Sequence, residues 1–176
     1  MNWSPLLQIL ESVLEPRSAA YAAGPLETCF ELYQCKIVDT VGLKEMRAIN
    51  QAKLTSFVGV LRKKLPIPVI DPGLLRCPGW TGTDYGDFFV AVLSKFAYEA
   101  RFIDGWQYSS GATREFITCL QQDIACYDQQ GNKLCCDAGF RLIRIAGADI
   151  ERLGGDPMNV LSRLPEYAVD GSAEKS

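Results

Sequence analysis

Gly105-Trp106-Gln107-Tyr108-Ser109-Ser110-Gly111-Ala112-Thr113-Arg114-Glu115 lies between an apolar run, Ala100 to Ile103, and an amphipathic one, Phe116 to Leu120. In that order the segment reads as a strand, a hydroxyl- and glycine-containing loop, and a helix. In open α/β sheets, ligands bind beyond the carboxyl ends of strands, where helix N-termini point at them. A loop rich in Ser and Gly at that place can cradle an anion. Glu115, expected on the first turn of the following helix, would sit beside whatever is bound.

Working outward, the flanking segments alternate in the same way. Ala19 to Ala23 reads as a short small-residue strand closed by Gly24-Pro25. Glu27 to Val38 is ambiguous between a helix and an irregular excursion. Asp39 to Lys64 is the clearest helix, because Leu54, Phe57, Val58 and Leu61 recur at helical spacing. Pro66 and Pro68 end it, Val69-Ile70 begins a strand, and Leu74 to Thr83 is a loop fit to border a pocket. Phe88 to Phe96 reads as a helix leading into the Ala100 to Ile103 strand. Ile124 to Tyr127 is a further strand, closed by Gln129-Gln130-Gly131-Asn132. Beyond it, Leu134 to Ile145 reads as a strand pair, and Asp156-Pro157 caps a last helix from Met158 to Leu164. Strands alternating with helices imply a parallel sheet covered on both faces.

The expected fold is therefore α/β: a Rossmann-like (flavodoxin-like) parallel sheet flanked by helices, with an extra N-terminal helix and a small C-terminal extension. The expected organisation is a single domain over 1–170, with an N-terminal helix at 1–16, a core at 18–130, an extension at 131–168, and a disordered tail at 170–176. In the N-terminal helix, started by Ser4-Pro5, Leu6, Leu7, Leu10, Val13 and Leu14 form one apolar face for the domain or a partner subunit.

Composition narrows the chemistry. A hydrophobic content of 48% in 176 residues is enough for a real core. The net charge of −3 makes no case for a nucleic-acid groove, and no apolar run approaches a membrane span. Met1 to Leu14 lacks the basic residues and cleavage site of a signal peptide, so a cytoplasmic location is expected. The seven cysteines then read as reduced thiols, most of them buried. None forms a Cys-x-x-Cys zinc signature, and no metal site is expected. Histidine is absent, which excludes Ser-His-Asp and Cys-His catalysis. Proton transfer would fall to carboxylates, tyrosine or water.

Three segments carry a resemblance. Ser109, Gly111 and Glu115 fall on a Ser-x-Gly-x-x-x-Glu pattern, and Gly105, Trp106, Ser109, Gly111 and Ala112 on a Gly-Trp-x-x-Ser-x-Gly-Ala loop. Tyr21-Ala22-Ala23-Gly24-Pro25 matches a Tyr-x-Ala-Gly-Pro-type run, and Pro68-Val69-Ile70-Asp71-Pro72 a second strand. Taken in chain order, over roughly residues 18 to 130, these segments make the chain resemble the nucleoside 2-deoxyribosyltransferase superfamily, which includes nucleoside 5'-monophosphate N-glycosidases. The family often places an Asp shortly before the strand leading into the loop. The nearest positions here hold Val90 and Tyr98, leaving Asp84 and Asp87 as the acidic candidates.

The resemblance implies cleavage or transfer at an N-glycosidic bond of (deoxy)nucleoside 5'-monophosphates, with no cofactor. Glu115 would be the nucleophile, Tyr21 its orienting partner, and Asp84 or Asp87 the proton donor to the base. Gly24, Pro25, Gly105, Trp106, Ser109, Ser110 and Gly111 would bind substrate, with Trp106 either stacking on the base or roofing the sheet edge. Ser109 favours a phosphate because a carboxylate at that position would repel one. Arg114 would assist or face solvent. A homodimer or higher homo-oligomer is implied as well. Two other readings stand beside this one: a catalytically inactive nucleotide-binding or regulatory module on the same fold, and an interaction protein that docks through its N-terminal helix.

Overall fold

Small side chains set the centre of the molecule. Strand β1 (Ala19–Ala23) is Ala-Ala-Tyr-Ala-Ala and entirely buried, so helices can approach the sheet closely on either face. The structure, a computed structural model, describes residues 3–37 and 39–167. Within them β1 lies between β2 (Val69–Ile70) and β3 (Ala97–Phe102), and β4 (Ala125–Tyr127) extends the sheet beyond β3. All three pairings are parallel and the order is β2-β1-β3-β4. The chain thus forms the expected α/β, Rossmann-like architecture. Its strand order follows the flavodoxin-like arrangement, in which the direction of winding reverses between β1 and β3.

Helices α1 (Ser4–Glu11) and α2 (Phe30–Gln34) precede α3 (Thr40–Lys64), the long helix. Asp39 caps α3 by accepting from the Val41 and Gly42 N–H groups. Its Leu54, Phe57, Val58 and Leu61 pack on Ala20, Ala22, Val69 and Ile103. Helices α4 (Gly82–Phe96) and α5 (Ser110–Gln121) cover the opposite face, where Tyr21, Ala23, Ala100 and Phe102 point. Helix α1 lays Leu6, Leu7 and Leu10 on that same cluster, with Trp3 edge-on to Phe88. Among the described residues no helix is long and apolar enough to cross a membrane.

Several expectations change. Helix α1 ends at Glu11, short of the expected residue 16, and Val13 beyond it is exposed rather than part of the apolar face. Helix α4 begins at Gly82 and β3 at Ala97, each earlier than expected. Leu134 to Ile145 is not a strand pair but runs into helix α6 (Cys136–Arg152); one antiparallel bridge, Tyr127 to Lys133, precedes it. The buried positions Gly139, Ile143, Ala146, Gly147 and Ile150 follow helical spacing. Gly139 lets α6 meet the Phe116 ring, where a Cβ would lie only 2.1 Å from a ring carbon. The last helix, α7, is shorter than expected, Met158–Leu161, and the Asp156 carboxylate accepts from its Met158 N–H. Finally, burial of the cysteines holds for Cys29, Cys119 and Cys126, whereas Cys35, Cys135 and Cys136 are exposed. The tail at 170–176 lies outside the described residues.

Candidate functional site

At the reversal point, the loops after β1 and β3 diverge and open a cleft of about 580 Å³. Gly24, which ends β1, is needed there, since a Cβ would meet the Ile103 side chain at 2.3 Å. On the β3 side, Gly105 adopts a left-handed φ of 85° and starts a short 3-10 turn, Trp106–Tyr108. The turn delivers Ser109 as the N-cap of α5, with its Oγ accepting from the Ala112 N–H at 3.3 Å. Ser109, Ser110 and Gly111 line the cleft together with Gly24 and Glu115. The Ala112 N–H is taken by Ser109, which leaves the Ser110 and Gly111 N–H groups at the start of α5 open to an anion.

Glu115 lies on the second turn of α5, not the first, because the helix already begins at Ser110. That extra turn carries the carboxylate back over the end of β1. There the buried Tyr21 hydroxyl donates to Glu115 Oε1 at 2.6 Å. Burial pushes the Glu115 carboxyl up to about 7, against the opposing pull of the Tyr21 hydroxyl and the Arg114 guanidinium. Tyr21 is raised well above the ordinary phenol value, first by burial and then by the neighbouring carboxylate. The proton of the pair therefore stays on the phenol, which serves as a fixed donor to Glu115.

The acidic candidates on α4 separate. Asp87 lines the cleft and accepts from Arg114 Nη2 at 2.7 Å, an ion pair that ties α4 to α5. Asp84 does not reach the cleft. It forms a capping box with Thr81, accepting from both its N–H and its hydroxyl, and these bonds hold its carboxyl below the usual range. A carboxyl so held is a poor proton donor.

Three expected binding residues also lie elsewhere. Trp106 is buried in the core between Phe102 and Phe116, with ring centroids at 5.0 and 4.8 Å. Helix α6 covers it from outside, so its indole cannot stack on a base. Pro25 and Gly105 line a second, larger cavity of about 700 Å³ beside α3. That cavity lacks Glu115, and its Glu31 is paired with Lys53.

The loop expected to border a pocket, Leu74 to Thr83, does so, giving the cleft Leu75, Arg76, Gly82 and Thr83. Leu26, Tyr85 and Phe89, which carry no local sequence signal, join Leu75 in an apolar wall. The Tyr85 hydroxyl is fixed by accepting from the Cys77 N–H and donating to its carbonyl. Arg47, Arg76 and Arg163 border the same space. Arg163 comes from the C-terminal extension, more than fifty residues beyond the loop, and only the fold brings it near.

No protein-family model matches the chain, and neither a curated protein nor a solved structure matches it.

Proposed function

We propose that this protein cleaves, or transfers the sugar from, the N-glycosidic bond of (deoxy)nucleoside 5'-monophosphates, with Glu115 as nucleophile. The observation that carries the reading is the Tyr21–Glu115 hydrogen bond of 2.6 Å inside a cleft at the reversal point of a parallel sheet. One Glu115 oxygen is held by the phenol, which orients the other towards a sugar C1'. In the first step a bond forms between that oxygen and C1', and the C1'–N bond breaks. The electron pair leaves with the base, which takes up a proton from solvent; the water or base nitrogen that attacks in the second step returns one. Water, or the nitrogen of a second base, then attacks C1' and releases the Glu115 carboxylate. The apolar wall of Leu26, Leu75, Tyr85 and Phe89 is suited to a nucleobase. The Ser109–Gly111 end of the cleft is suited to the phosphate.

A panel of ribo- and deoxynucleoside 5'-monophosphates, followed by chromatography for free base, tests the proposal. Base release from at least one of them is expected, lost by at least about a thousandfold in Glu115→Gln, as when a covalent nucleophile is removed. No release from any of them by folded protein would overturn it. One observation favours the alternative of an inactive nucleotide-binding module: Asp87 is engaged with Arg114 and Asp84 with Thr81. Thermal stabilisation by a nucleotide without base release would decide for that reading.

A further inference from the structure

Four guanidinium groups border the Glu115 cleft: Arg47, Arg76, Arg114 and Arg163. Three are committed. Arg114 is paired with Asp87 at 2.7 Å, and Arg47 with Glu27 at 3.0 Å. Arg76 donates to the Gly73 and Leu75 carbonyls and to the Gln51 side chain. The Arg163 guanidinium makes no hydrogen bond or ion pair among the described residues, and its side chain is exposed at the cleft edge. Its backbone, by contrast, is firmly placed. Val160 and Leu164, on either side, are fully buried in the main core cluster, and α7 packs on both α5 and α6.

An uncommitted cation held at the mouth of a cleft has a use when an anion enters. We propose that Arg163 binds the phosphate of the substrate and sets the preference for phosphorylated over unphosphorylated nucleosides. This rests on the function proposed above and deepens it. The C-terminal extension, outside the part of the chain that carries the active-site loop, completes the site from within the same chain. The phosphate would bridge the exposed α5 end, with the Ser110 and Gly111 N–H groups, and the Arg163 fork. Guanidinium suits this role because its planar donors bind phosphate oxygens in pairs.

The test compares wild type with Arg163→Gln and Arg163→Lys, using the best nucleoside 5'-monophosphate of the panel and the corresponding nucleoside. Dissociation constants come from calorimetry, KM and kcat from base release, and integrity from thermal unfolding. For Arg163→Gln, weakening of about tenfold or more is expected for the monophosphate, the size of a lost charge-assisted hydrogen bond. It should appear in KM rather than kcat, with the nucleoside unaffected and partial recovery in Arg163→Lys. Equal weakening of nucleoside and monophosphate would overturn the proposal, as would an unchanged monophosphate affinity. If wild type cleaves the monophosphate and Arg163→Gln cleaves it equally well, this inference fails while the proposed function stands. If no nucleotide binds at all, both fail.

Discussion

Tyr21 and Glu115 are 94 positions apart in the chain, yet each explains the other's state. The phenol keeps its proton because burial and the adjacent carboxylate both oppose ionisation. The carboxyl ionises late because burial outweighs the help it receives from Tyr21 and Arg114. In the function proposed above Glu115 is the nucleophile and must be ionised, so on that proposal kcat/KM for base release should rise with pH and level off above about 7. Removing the phenol donor in Tyr21→Phe takes away a bond that favours the ionised carboxylate, so the rising limb should move to higher pH. A rate–pH profile of the two proteins checks this; an unmoved limb would mean that Tyr21 does not tune the acid.

The same raised carboxyl costs stability. Below 4.5 the group is protonated in both folded and unfolded chains and makes no difference. Above that, the unfolded chain releases the proton while the folded one keeps it until about 7. Wild type should therefore lose stability relative to Glu115→Gln as pH rises from 5 to 8. At about 1.36 kcal/mol per unit, discounted for the partial exposure of Glu115, the gap should reach about 1–2 kcal/mol. Urea unfolding of both proteins at the two pH values measures it. A gap that shrinks as pH rises would contradict the assignment.

At the scale of elements, α5 and α6 meet where Gly139 touches the Phe116 ring. A methyl group there has no room, and the ring it would displace also packs on Trp106 and Phe102. Gly139→Ala should destabilise the fold by about 1–3 kcal/mol, the usual cost of overpacking. Denaturant unfolding checks this, with a loss under half that size showing that α6 can shift freely. The same helix shows why part of the fold was hidden in the sequence. Helix α3 declared itself because its buried residues Leu54, Phe57, Val58 and Leu61 are large and apolar. In α6 the buried stripe includes Gly139, Ala146 and Gly147, while the larger Ile145 is exposed, so hydrophobicity pointed to a different period.

Across the whole molecule, strands β1, β2 and β4 and the loop carrying Ser109 to Glu115 could be read nearly where they stand. Local composition marks them: Ala19 to Ala23 before Gly24-Pro25, and Ser109 to Gly111 before an amphipathic run. The order β2-β1-β3-β4 could not be read, since it turns on β1 pairing with β3 more than seventy residues further on. That order decides the site. It joins the end of β1 to the end of β3, placing Tyr21 under Glu115 and Gly24 opposite Ser109. Trp106 went astray for the same reason: its neighbours Gly105 and Ser109 suggested a pocket residue, whereas α6, distant in sequence, encloses it in the core. Arg163 and the apolar wall are likewise products of tertiary structure.

The most direct measurement is intact-protein mass spectrometry after incubation with a 2'-deoxy-2'-fluoroarabinonucleoside 5'-monophosphate. The fluorine slows the second step and lets a glycosyl-enzyme accumulate. The expected result is a mass gain equal to one fluorinated sugar phosphate, mapped by peptide analysis to Glu115 and absent from Glu115→Gln. Base release from ordinary substrate that persists in Glu115→Gln, or an adduct mapped to another side chain, would contradict the role assigned to this carboxylate.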